Sequence, residues 1–162
     1  MFGGLPGVGK TTVASRLAAE IGAVFLRIDV IEVALHHEGV AVEGEGYAVA
    51  YALARSNLAL GLTVIADSVN PIPLTREAWR AVAGEAGAAL LEVEVVCSDS
   101  AEHRRRVESR HSDIAGFTPP TWDEVVGRDY QTWDRDRLVV DTAAIASQDA
   151  VGLVRSALAA TG

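Results

Sequence analysis

Residues 1–12 read "MFGGLPGVGKTT", and Gly4, Gly9, Lys10 and Thr11 complete the pattern G-x-x-x-x-G-K-[ST]. Glycines let the backbone turn its N–H groups inward, so Gly4, Leu5, Pro6, Gly7, Val8 and Gly9 read as a cradle for phosphate oxygens. Lys10 is spaced to reach the β- and γ-phosphates and Thr11 to ligate Mg²⁺, with Thr12 completing the nucleotide-binding stretch. The segment that follows, "KTTVASRLAAEIG" (10–22), carries Val13, Leu17 and Ile21 on one face and stops at Gly22. It reads as an amphipathic helix whose positive end points at the same anion.

Such a loop hangs from the end of a buried central strand of about five residues, yet only Met1, Phe2 and Gly3 precede it. Two explanations compete. Either a stub strand suffices, or the sequence starts inside the strand and the chain begins several residues upstream. The second is favoured, because a missing central strand leaves its neighbours' ladder groups unpaired, at about 1 kcal/mol or more each. A truncated first strand is therefore expected.

Beyond the loop, strand-length apolar runs alternate with helix-patterned segments. "AVFLRID" (23–29), "LTVIAD" (62–67), "ALLEVEVVC" (89–97) and "RLVVDTA" (137–143) read as strands. Residues 45–61, 73–87, 98–110, 121–133 and 147–160 read as helices, with Thr121 and Glu124 spaced as a capping box. This alternation predicts an α/β fold: three layers, with a mostly parallel sheet between helices. The chain of 162 residues fits one domain, 1–162, with a lid segment around 100–120.

Composition narrows the partners. A formal charge of −8 repels polyanions unless the cations are gathered in one place, so nucleic acid is disfavoured. No apolar run approaches the roughly 20 residues that cross a bilayer, and no basic segment leads into an apolar one at the N-terminus, which makes the cytoplasm the default compartment. Cys97 is the only cysteine; it excludes an internal disulfide and reads as a buried structural thiol.

Ligands of open α/β sheets collect at the carboxyl ends of strands. Asp29 ends "FLRID" and Asp67 ends "TVIAD". Asp67 fits a carboxylate that holds Mg²⁺ directly or through water. Asp29 suits either a helix N-cap or a base that accepts the proton of an acceptor hydroxyl. The basic run "HRRRVESRH" (103–111) puts Arg106 and Arg110 four residues apart on one helical face, with His103 a turn before. Arginines on a closing lid can supply donors as charge builds in phosphoryl transfer. Arg104 and Arg105 read as surface residues.

"GGLPGVGKTTVASRLA", "LRIDVIE", "TVIADSVN" and "AEHRRRVESR" together resemble the small P-loop kinases filed as AAA-family ATP-binding proteins. Relatives of that group include gluconate kinase, adenylylsulfate kinase, chloramphenicol phosphotransferase and the polynucleotide kinase module. The resemblance implies a P-loop nucleoside triphosphate hydrolase fold with a parallel five-stranded sheet flanked by helices. It implies Asp29 as general base, Asp67 and Asn70 as a D-x-x-N segment, and Arg106 and Arg110 as lid arginines. Several relatives carry Arg three residues after the first Asp, where this sequence has Glu32, which disfavours an anionic or nucleic-acid acceptor. Arg128 stands either as a substrate or nucleotide contact or as a salt-bridge partner of Asp123 or Glu124. Trp79, Trp122 and Trp133 read as packing residues more than as an acceptor pocket.

The expected activity is an ATP- and Mg²⁺-dependent phosphotransferase acting on a hydroxyl of a small molecule. The alternatives are a polynucleotide 5′-hydroxyl kinase and a non-catalytic nucleotide sensor or ATPase.

Overall fold

The apolar runs and the stub ahead of the phosphate loop pair into one sheet, seen in a computed structural model that describes residues 1–161. Its strands are β1 (Phe2–Gly3), β2 (Val24–Arg27), β3 (Val64–Asp67), β4 (Val93–Val96) and β5 (Leu138–Asp141). The helices are α1 (Lys10–Ile21), α2 (Ile28–His37), α3 (Glu45–Ala59), α4 (Pro73–Glu85), α5 (Ser100–Ser109), α6 (Trp122–Val126) and α7 (Ser147–Thr161). The strand order is β2-β3-β1-β4-β5 and every pairing is parallel. The three-layer α/β fold is thus as expected.

Strand alternation splits the core in two, because successive side chains leave opposite faces of a sheet. Phe2, Ile65, Val93, Val95 and Val140 meet Val13, Leu17, Val151 and Val154 of α1 and α7. On the other face, Met1, Leu26 and Ala66 pack against Ala50 and Ala54 of α3, Trp79 and Val82 of α4, and Trp133. Trp79 and Trp133 are therefore core residues.

Phe2 and Gly3 form the central strand. Phe2 pairs with Asp67 on one side, while Phe2 and Gly3 pair with Val93 and Glu94 on the other. β4 starts at Val93, and residues 89–92, read as part of this strand, lie outside it, although Met1 bonds to both Leu91 and Val93. Asn70 secures the stub: fully buried and at a positive φ of 49°, it donates from Nδ2 to the Phe2 carbonyl at 2.8 Å. Arg76, equally buried, donates to the carbonyls of Asn70, Pro71, Gln131 and Thr132 and stacks over Trp133.

Two elements differ from the sequence reading. Ile28 and Asp29, read as the end of a strand, open α2 instead, where Ile28 and Ile31 turn toward the core. The helix expected over 121–133 stops at Val126; its capping box is present, but Gly127 ends it and residues 127–137 return as an irregular loop.

Candidate active site

The carboxyl ends of β1, β2 and β3 open into a cleft of about 1820 Å³. One wall is the loop between β1 and α1. Gly4 has φ 136°, and a Cβ there would strike the Val95 carbonyl, while Gly9 has φ 94° and leads directly into α1. Only glycine meets both demands at low cost. Side chains from distant elements fix the loop. His103 of α5, buried, donates from Nε2 to the Pro6 carbonyl at 2.8 Å, and Thr142 donates to the Val8 carbonyl at 2.7 Å.

Lys10 is buried, and its Nζ turns back to the Leu5 carbonyl at 3.2 Å. Burial lowers its pKa, Asp67 and Asp29 oppose that, and Arg110 and Arg128 push it further down. All four side chains line the same cleft as the lysine. Asp67 is 3% exposed; burial raises its pKa, and Lys10, the neighbouring Thr11 hydroxyl and Arg27 work against that rise. A buried carboxylate beside a hydroxyl is an all-oxygen donor pair suited to Mg²⁺, which takes few protein ligands and keeps phosphate and water as the rest. Among the described residues no group of three or more His, Cys, Asp or Glu side chains forms a metal cage.

Asp29 lies in the first turn of α2 and lines the cleft, and the N-cap position is Arg27. Asp29 is thus not a cap, and its carboxylate makes no hydrogen bond among the described residues.

The arginines sort differently from the sequence reading. Arg110 stacks over Phe117 at 5.8 Å and Arg128 lies in the loop after α6; both line the cleft, and among the described residues neither has an ion-pair partner. Arg128 pairs with neither Asp123 nor Glu124. Arg106 is engaged elsewhere: it donates to Glu102 at 2.8 Å and to Thr142 Oγ1 and O at 2.8 and 3.1 Å. That places it on the flank of the loop held by Thr142, where it lines the cleft as well. Arg104 and Arg105 form exposed pairs with Glu108 and Glu102, as expected.

Asn70, expected as a substrate contact, lies elsewhere: its side chain is fully buried, is not among the residues that line the cleft, and shapes the turn after β3. Cys97 is half-buried against the core and free.

Sequence reasoning missed Arg27. It is 8% exposed, and its guanidinium holds Asp113 of the 110–121 loop through bonds of 2.6 and 3.0 Å. Its signal was weak: an arginine inside an apolar strand, next to the carboxylates at that strand's end and across from it.

A glycine-cradled loop, a buried lysine at a helix start, a carboxylate at the end of β3 and another in the first turn of α2 define a P-loop nucleotide-binding domain of the kinase-like type. A family described as "AAA domain" matches residues 1–121, and the chain belongs to that family. No curated protein sequence matches it. Among solved structures it resembles a protein of Chloroflexus aurantiacus J-10-fl, named only provisionally as a kinase, at 22% identity and a TM-score of 0.75, covering 99% of this chain and 95% of that one. The APS kinase of Mycobacterium tuberculosis, solved with AMPPNP and APS, aligns at 19% identity and TM-score 0.71 over 97% and 94% of the two chains. A gluconokinase from Sinorhizobium meliloti 1021 aligns at 20% and 0.66 over 98% and 89%. These likenesses establish the fold. No helix among the described residues is long and apolar enough to cross a membrane.

Proposed function

We propose that the chain is an ATP- and Mg²⁺-dependent phosphotransferase that moves the γ-phosphoryl group to a hydroxyl of a small molecule. One observation carries the reading: Lys10, Asp67, Asp29, Arg110 and Arg128 converge on one cleft. A simple nucleotide sensor has no need of an unbonded carboxylate at that point.

The loop 4–9 and Lys10 bind the phosphates, and Thr12 lies at the same helix start. Thr11 and Asp67 are the protein oxygens that would hold Mg²⁺, which when bound offsets phosphate charge. Asp29 takes the acceptor hydroxyl's proton while that oxygen bonds to the γ-phosphorus and the bond to the β–γ bridging oxygen breaks, releasing ADP. Arg110 and Arg128 supply donors to the transferring group, and Arg106 steadies the nucleotide side through Thr142. AMPPNP and APS in the mycobacterial neighbour support a nucleotide and a small acceptor in this kind of cleft.

The test is ATP consumption with Mg²⁺ against pooled hydroxyl-bearing metabolites and antibiotics, with mass detection of phosphate esters, run beside Asp29→Asn. A phosphate ester lost in the variant is expected. ATP hydrolysis with no ester, unaffected by Asp29→Asn and abolished by Lys10→Ala, would overturn the kinase reading.

A further inference from the structure

The cleft wall beyond Asp29 is acidic and aromatic. Asp29, Glu32 and Glu43 line it together with Tyr47, Tyr51, Ser68, Ile72 and Thr75. Asp29 and Glu32 are three residues apart on α2, which puts their Cβ atoms about 5–6 Å apart on one flank.

Lys10 and Arg27 act on Asp29, and Arg128 is the cation that acts on Glu32. Arg27 is already neutralised by Asp113 through both Nη atoms. Arg128 acts on Glu32 at a distance but forms no ion pair with it, and among the described residues Glu32 makes neither hydrogen bond nor salt bridge. Burial and the like charge of Asp29 both disfavour the Glu32 carboxylate, and only Arg128 favours it. Yet the fold holds Glu32 in place: its Cγ lies against Gly46 so closely that any Cβ at that glycine would collide with it.

Ser68, 4% exposed, lines the cleft beside Tyr47, and its hydroxyl lies against that of Tyr47. Tyr47 and Tyr51 add aromatic rings 6.0 Å apart, and the faces of such rings attract cations.

Resting on the kinase reading above, we propose that the acceptor is an alcohol carrying a protonated amine or quaternary ammonium a few carbons from the phosphorylated hydroxyl, and that Glu32 binds this cation while Asp29 receives the hydroxyl. The transfer is the one already written: the acceptor oxygen gains the γ-phosphoryl group, its proton goes to Asp29, and ADP leaves. The cation takes no part in bond making; it is bound by Glu32 and the tyrosine rings. Anionic acceptors meet repulsion from Asp29, Glu32 and Glu43.

The test compares three matched probe sets on the full chain with Mg²⁺ and a non-hydrolysable ATP analogue: aliphatic and aromatic amino alcohols, their neutral N-acetyl forms, and the corresponding hydroxy acids. Binding is read by calorimetry and turnover, with ATP, by mass. Amino alcohols should bind, with a loss of about tenfold or more on N-acetylation, as for a bond to a charged group. Glu32→Gln should reproduce that loss for the amines alone, Gly46→Ala should weaken them by displacing the carboxylate, and Glu38→Gln, exposed at the end of α2, should change nothing. Equal or better binding of the neutral or acidic probes would overturn the proposal, as would silence of every amine while the nucleotide binds. A Glu32→Gln effect on nucleotide affinity equal to that of Arg128→Gln, with amines unaffected, would overturn it too, by showing that Glu32 serves Arg128. Failure to bind Mg·ATP at all would instead remove the kinase reading beneath it.

Discussion

Arg27 and Asp113, 86 residues apart in sequence, face each other as a bidentate pair at 2.6 and 3.0 Å, with Arg27 buried at the end of β2 and Asp113 exposed on the loop after α5. The pair pins that loop at the mouth of the cleft. The Arg27 bond holds the Asp113 carboxyl below the usual carboxylate range. The sign follows: the tether is at full strength above the unfolded aspartate pKa and is lost as pH falls through the lower folded value. Asp113→Asn should cost about 1 kcal/mol, limited by the exposure of Asp113. It should also speed amide hydrogen exchange across residues 110–118. Unchanged exchange there would show that the loop is held by other contacts.

The two arginines that line the cleft unpaired should behave differently from the one that is bonded. Arg110→Ala and Arg128→Ala are expected to lower kcat by roughly 10²-fold with modest change in nucleotide affinity, as for lost transition-state donors. Arg106→Ala removes the bonds to Thr142 and, through it, the support of the Val8 carbonyl. Its effect should fall on nucleotide affinity. A kcat loss for Arg106→Ala with unchanged nucleotide affinity would reverse these assignments.

Much of this was legible because it is local. The phosphate loop is a contiguous pattern, and the place of Asp67 at the end of β3 follows from the fold that the loop implies. What escaped the sequence depends on partners far along the chain. Arg106 could not be separated from Arg110, because Thr142, which holds Arg106, lies 36 residues away. Asn70 matched a motif, yet its amide is spent on Phe2, on a strand whose pairing no spacing reveals. In "IDVIEVALHH", the β-branched Ile and Val suit a strand as well as a helix, which hid α2 and with it the shared flank of Asp29 and Glu32.

Asn70 and Arg76 predict a large effect remote from chemistry. Arg76→Leu leaves the carbonyls of Asn70, Gln131 and Thr132 without their donor, while Pro71 keeps the Gln131 N–H. Each buried orphan costs about 1–3 kcal/mol before relaxation, so a loss of several kcal/mol is expected in denaturant unfolding. Asn70→Ala should cost about 1–3 kcal/mol through the Phe2 carbonyl and the left-handed backbone it occupies. A shift below 0.5 kcal/mol for either would mean that water replaces these bonds.

In a chain whose first residue is Met1, the terminal amino group has a pH signature of its own. It is buried, donates to the Leu91 carbonyl at 2.6 Å, and burial drives its pKa from 8.0 down to about 5, against a small opposing pull from Glu92. Between those values the folded chain carries a neutral amine while the unfolded chain still binds a proton. Protons therefore favour unfolding in that window, and this group makes stability rise with pH from about 5 to about 8. At one pKa unit per 1.36 kcal/mol, the change is at most roughly 4 kcal/mol. Urea unfolding at intervals across that range measures the slope directly. A variant carrying residues ahead of Met1 replaces the amine with an amide and should lose the slope, whereas a slope that persists would overturn its assignment to this group.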